Sequence, residues 1–162
     1  MKYSNVLLFI LISFVLSCGG VSDYTENLGN GFYFASRGSK VKSIFGPNVN
    51  PRKEIYSKVI EYAFDKDFIL VAQEPLWDMH IRSIIISLDE EKSDYQKLEE
   101  KADSILRNDP FYQSVFSRKI NFWIISHKAD SLFGPFSLED YLIKKEELEV
   151  PKGLKLKLAL GV

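Results

Sequence analysis

The sequence predicts an α+β domain, a mostly antiparallel sheet of short strands with two main helices packed on it, after an N-terminal targeting segment. Three observations carry this. Short β-prone runs punctuated by turn residues recur through 31–45, 55–72 and 120–133. A polar segment opening at Ser93 spaces its apolar side chains as one face of a helix. Ser137, followed by Glu139 and Asp140 and later by Lys144 and Lys145, announces a second helix with its charges placed as the helix dipole prefers.

The chain opens with Lys2, an apolar run over 6–16 interrupted only by Ser13, and Ser17-Cys18-Gly19-Gly20. That is the layout of a secretory signal. A hydrocarbon core needs roughly 20 residues of helix, and this run is too short to span one. Val15-Leu16-Ser17-Cys18 resembles the lipobox of bacterial lipoproteins, in which the cysteine becomes the acylated N-terminus. The resemblance implies a signal peptide over 1–17, lipid on Cys18, and a protein held on a membrane of the cell envelope, periplasmic or on the outer surface. The alternative is a plain signal peptide that happens to carry a cysteine. Cys18 is the only cysteine in the chain, so it has no internal disulfide partner, and lipidation accounts for it better than redox chemistry.

Residues 18–30 are polar and glycine-bearing and read as a lipidated tether, with one α+β domain over 31–162. Without residues 1–17 the chain keeps 145 residues, a length suited to a single core, with 20 basic and 22 acidic side chains. That balance offers no basic excess to a nucleic acid, which is not an expected partner.

Within the domain, the runs 31–36 and 40–45 flank Arg37-Gly38-Ser39 as a hairpin. Segment 55–64 fits a helix by its apolar positions 55, 56, 59, 60 and 63, yet Ile60, Tyr62 and Phe64 alternate as one strand face. The run 68–72 is apolar throughout and too short for a helix, so a second hairpin through Asp65-Lys66-Asp67 is favoured. Residues 81–87, rich in isoleucine, read as a further strand. Ser93 with Gln96 forms a capping-box pattern, followed by Tyr95, Leu98, Ala102, Ile105 and Leu106 on one helix face, and Asn108-Asp109-Pro110 ends that helix. A short helical piece follows at 111–116. The run 120–125 reads as a central strand, 128–132 as a turn into a partner ending at Phe133, and 137–150 as the last helix, stopped by Pro151.

Trp123-Ile124-Ile125, Phe133-Gly134-Pro135-Phe136-Ser137, Glu139-Asp140-Tyr141, Leu148 and Val150-Pro151 together resemble a family of small bacterial lipoproteins known as domain of unknown function 3997. Asp23-Tyr24, Gly31-Phe32-Tyr33, Tyr62-Ala63-Phe64-Asp65 and Phe68-Ile69 are similar to its remaining landmarks. That resemblance implies no catalytic residue and no cofactor. Residues 122–141 also resemble the start of GYF-type domains, modules that bind proline-rich peptides. The later tryptophan and Gly-Tyr-Phe triplet of that peptide groove are missing, so the likeness implies a shared local structure of strand, turn and capped helix.

Chemistry-bearing side chains are few. His80 and His127 lie far apart without zinc-ligand spacing, and both are expected at strand ends with one side to solvent. Ser126, His127 and Asp130 include the residue types of a hydrolytic triad, but strand neighbours point to opposite faces. Asp65 and Asp67 could act as paired carboxylates, or bind a cation with Glu61, although acidic turn residues usually hydrogen-bond their own backbone. The charged stretch from Asp89 to Asp103 reads as a solvated helix face. Tyr24, Tyr33, Trp77, Phe111, Tyr112 and Phe116 include more rings than two helices obviously cover, with core packing the default for most. Two functions are therefore weighed. The favoured one is a membrane-tethered, non-catalytic module that binds a protein, peptide or envelope polymer through an aromatic patch or a sheet edge. The other is an envelope hydrolase whose site is assembled from distant histidine and acidic residues.

Overall fold

The computed structural model describes residues 23–47, 54–88 and 94–160. Along the chain these form β1 (Tyr24–Gly29), β2 (Phe32–Arg37), β3 (Val41–Phe45), β4 (Val59–Phe64), β5 (Phe68–Gln73), α1 (Trp77–Leu88), α2 (Tyr95–Asn108), α3 (Pro110–Phe116), β6 (Asn121–Ser126), β7 (Ser131–Phe136), α4 (Leu138–Glu147) and a 3-10 turn (Lys157–Leu160). The class is α+β and every strand pairing is antiparallel, as the sequence predicts. The strands divide, however, into two sheets, β1-β2-β3 and β4-β5-β6-β7. Four helices rather than two lie among the described residues.

The second sheet is the centre of the molecule. Ile69, Val71, Trp123 and Ile125 face one side of it, and Leu70, Ala72, Phe122 and Ile124 the other. Both sides are covered, which is why 68–72 and 120–125 are continuously apolar instead of alternating. The first side meets Leu28, Phe32, Phe34 and Ile44 of the first sheet and Val115 of α3. The other side meets Tyr141 of α4 together with Val150 and Leu156. Helices α1 and α2 form a separate cluster of Ile81, Ile84, Ala102 and Leu106, joined by Tyr112 of α3.

The first sheet runs across the second. The Tyr24 hydroxyl lies 3.5 Å from that of Tyr62 in β4, while Gly29 at the other end of β1 abuts the imidazole of His127 just after β6. The β2–β3 hairpin forms as predicted, with Arg37 opposite Val41 and Tyr33 opposite Phe45. So does β4–β5, although its strand begins at Val59; Ile55 instead makes an isolated bridge to Ile44. Asp65 tightens that second turn, its Oδ1 accepting from the backbone N–H groups of Asp67 and Phe68, both at 2.8 Å.

Four expectations are corrected. The first described strand begins at Tyr24, because six residues of the expected tether, Tyr24–Gly29, are strand β1. The sequence signal for this strand is Gly29-Asn30-Gly31, all three with positive φ, a turn composition that announces a hairpin. Residues 81–87 are helical and belong to α1, where Ile81, Ile84, Ile85 and Leu88 pack in the helical cluster and Ile86 faces solvent. Pro75 just before the helix and Asp78 in its first turn are its start signals, and packing against α2 overrides the β preference of isoleucine. The cap of α2 is Asp94, whose Oδ1 accepts from the Gln96 N–H at 3.1 Å; Ser93 lies outside the described residues. Finally, Gly134-Pro135-Phe136 completes β7, where the sequence suggests a turn after Phe133. The helix after it is capped as expected, the Ser137 hydroxyl accepting from the Asp140 N–H at 3.1 Å.

Candidate functional site

β1 pairs on one side only, with β2, so its other edge carries backbone N–H and C=O groups that no strand of the described fold uses. The turn end of β1 borders a groove of about 330 Å³ lined by Thr25, Glu26, Asn27, Gly31, Phe32 and Tyr33. There the register bulges between Asn27 and Gly29, and the Asn27 side chain accepts from the Gly29 N–H at 2.9 Å. Tyr33, on the central strand β2, also lines this groove, 42% exposed, its ring stacked on Phe45 of β3 with centroids 5.3 Å apart; Phe45 in turn meets Tyr56 edge-on.

The opposite face of β1 and β2 carries a second aromatic row. Tyr24 packs on Phe34, Phe34 stacks on Tyr62 at 4.6 Å, and Tyr62 continues to Phe64. Tyr24 and Phe64 are exposed, whereas Phe34 is buried beneath them. The Tyr62 hydroxyl donates to the Glu26 carboxylate, and burial followed by that hydrogen bond pushes the phenol well above its ordinary range. Tyr62 therefore stays neutral and amphipathic, a ring with a fixed polar tip.

The aromatic residues singled out from the sequence do not converge. Tyr24 and Tyr33 belong to the exposed surface just described. Tyr112 is buried, and Trp77, Phe111 and Phe116 are half-buried among the helices. Tyr62 and Phe64 complete the surface row without standing out in the sequence as surface rings, although their alternation along one strand face is legible there.

The titratable candidates are dispersed as well. His80 is buried inside α1, not at a strand end, with Nδ1 3.0 Å from the Leu76 carbonyl and its ring against Phe116, Tyr112 and Tyr56. His127 follows β6 but is also buried, and its Nε2 has no hydrogen-bond partner among the described residues. The expectation of solvent on one side fails for both, because each ring fills a gap between layers. The Ser126 hydroxyl accepts from the Ala129 N–H at 3.2 Å and so closes its own turn. Glu61 is engaged by the C-terminal turn, its two oxygens accepting from the N–H groups of Lys157 and Leu158 at 2.6 and 2.9 Å. Among the described residues no group of three or more His, Cys, Asp or Glu side chains is placed to hold a metal ion. A wider cleft of about 430 Å³ lies between α1 and α2, lined by Trp77, Asp78, Arg82, Tyr95, Glu99 and Asp103 among others. The Trp77 Nε1–H and Arg107 both donate to Asp103 there, and Arg107 also lies over the Trp77 ring.

Burial lowers the pKa of both histidines from an ordinary 6.5, against an opposing hydrogen bond to Leu76 for His80 and opposing charges of Asp65 and Asp67 for His127. The unfolded chain then takes up protons near pH 6.5 while the folded chain resists. Stability is full above that pH and is lost as pH falls below it toward the depressed folded values. Melting temperature is expected to be flat in the upper part of a scan from about pH 8 to 5 and to fall in the lower part, above the range where ordinary carboxylates titrate. Replacing His80 by Gln is expected to lower the melting temperature at every pH and to flatten the slope. An unchanged slope would assign it to other groups.

The fold and this surface define a class: an α+β domain of two antiparallel sheets with an open strand edge and flanking exposed tyrosines. The chain belongs to the family described as protein of unknown function (DUF3997), whose model matches residues 30–160. No curated protein and no solved structure matches it. Among the described residues no helix is long and apolar enough to cross a membrane, and Cys18, with the whole signal segment 1–17, lies outside them.

Proposed function

We propose that this protein is a bacterial lipoprotein, tethered to a membrane of the cell envelope by lipid on Cys18, whose domain is a non-catalytic binding module that captures an extended segment of a protein partner along β1. The observation that carries the binding role is the outer edge of β1, which no strand among the described residues pairs, together with the adjoining groove at Gly31 and the exposed ring of Tyr33. An extended peptide adding to such an edge gains main-chain hydrogen bonds, and alternate side chains enter flanking grooves for specificity. Tyrosine suits that task because it offers a large rigid contact area with one polar tip.

The binding role is tested by placing photo-activatable benzoylphenylalanine at position 33 in the full-length protein in its own cells. A discrete adduct is expected at 33 and none at position 86, although Ile86 is 76% exposed. Equal labelling at the two positions, or none at either, overturns the edge-binding role. The tether is tested separately. Cys18→Ser is expected to abolish incorporation of labelled fatty acid and to leave an uncleaved precursor, since acylation requires the thiol; continued labelling of the variant defeats this assignment.

A further inference from the structure

We infer that the Tyr24 end of the first sheet seats on the membrane, with Arg37, Lys40 and Lys42 on anionic lipid headgroups, so that the domain is held in one orientation with the Gly29 end of β1 pointing away from the bilayer. This rests on the lipoprotein reading. The first supporting observation is the short leash. The first described strand begins at Tyr24, six residues after Cys18, and a chain of that length reaches at most about 20 Å when fully extended. A lipid on Cys18 therefore keeps the start of β1 within reach of the headgroups, which a tether running to residue 30 would not require.

The second is what the strand register gathers at that end. Tyr24 lies opposite Ser36, and Ser36 opposite Lys42, which places the three in one row across the sheet. Arg37 pairs with Val41 at the next position, and Lys40 sits in the turn between them. Arg37 and Lys40 are exposed and Lys42 half-buried, and none of the three has an ion-pair partner among the described residues. Lys58, Arg107 and Lys144 are paired, with Glu74, Asp103 and Glu147, whereas Lys152, Lys155 and Lys157 near the C-terminus are, among the described residues, unpaired like these three.

Third, a groove of about 460 Å³ opens there between Asp23, Tyr24, Thr25, Ser36 and Arg37, with Asp23 its single acidic lining residue. Tyr24 is half exposed beside it. Tyr24 rests its ring on Phe34 with half of its surface exposed, tyrosine is enriched at membrane interfaces, and unpaired lysine and arginine next to it complement anionic headgroups. The Thr25–Tyr33 groove adjoins this one at Thr25 and extends from there toward the Gly29–Gly31 turn, away from Cys18 along β1.

The test uses the mature lipidated protein, whose Cys18 thiol is blocked, with one fluorophore-labelled cysteine introduced as Ser39→Cys at the hairpin tip or as Ile86→Cys on α1. Each protein is reconstituted in phosphatidylcholine vesicles with and without phosphatidylglycerol, both carrying nitroxide on the headgroup. Stronger quenching at 39 than at 86 is expected with phosphatidylglycerol, and this contrast is expected to be lost at high salt and in the variant Arg37→Gln, Lys40→Gln, Lys42→Gln. Protein that floats with the vesicles but is quenched equally at 39 and 86 overturns this inference and leaves the lipid anchor standing. A wild-type protein that does not float, and whose Cys18 reacts with the dye, overturns both.

Discussion

Gly134→Val is expected to unfold the domain or to cost several kcal/mol of its stability. Gly134 lies where β7 bulges, so that it and Pro135 occupy the interval between the pairs Phe122–Phe136 and Ile124–Phe133. Its φ is +130°, a backbone region that side-chain-bearing residues adopt at a cost of about 1–3 kcal/mol. Space is the second obstacle. A Cβ there would sit 2.7 Å from Cε3 of Trp123 and 2.9 Å from the Phe122 carbonyl oxygen, and neither the buried indole nor the β6 backbone can retreat cheaply. Overpacking of that kind typically costs about 1–3 kcal/mol more. Against a total of about 5–15 kcal/mol for an ordinary domain, the sum removes much of the margin. Thermal melts of Gly134→Ala and Gly134→Val check it. The alanine variant is expected to lose less than the valine variant, and a wild-type melting temperature in both would mean that β7 shifts freely.

Trp123→Ala is expected to cost about 3–5 kcal/mol, the usual range for truncating a buried aromatic in a core. The ring is 1% exposed on a central strand and packs with Ile69, Val71 and Val115, with Phe111 beside it. It also donates from Nε1 to Oε1 of the buried Gln73 at 2.8 Å, while the Gln73 side-chain amide donates to the Tyr56 carbonyl at 2.6 Å. Truncation thus opens a cavity and leaves Gln73 Oε1 with only the 3.5 Å contact from Asn121. Denaturant melts separate the two contributions: Trp123→Phe keeps most of the volume and loses the donor, so it is expected to fall between wild type and alanine. Because the indole also walls the space beside Gly134, Trp123→Ala combined with Gly134→Ala is expected to cost less than the two single changes added. Strict additivity would show that the glycine is required by φ alone.

Part of the candidate site is legible in the residues alone. They favour a sheet edge or an aromatic patch as the binding surface, and Tyr24 and Tyr33 are among the rings that stand out for it. The edge has only the Gly29-Asn30-Gly31 turn to announce it there, because the polar segment before that turn looks alike whether it is a linker or an edge strand with one solvated face. Only the pairing of β1 with β2 distinguishes them. Nor do the residues sort the rings of Trp77, Tyr112 and Phe116 from the exposed ones, since their burial depends on how α1, α2 and α3 meet.

By itself the sequence determined the local matters. It set the β2–β3 and β4–β5 hairpins, the buried strands β5 and β6, the helix after Asp94, the Ser137 cap and the family, because capping, turn residues and apolar runs act over a few neighbouring positions. The tertiary structure alone decided the division into two sheets, the helical state of 81–87, the burial of both histidines and the free edge of β1. Each of those depends on contacts between residues far apart in the chain, such as Tyr24 with Tyr62, Ile84 with the α2 cluster, or Gly29 with His127. Burial against a distant partner outweighs the tenths of a kcal/mol by which local propensities differ, so local pattern cannot foretell it.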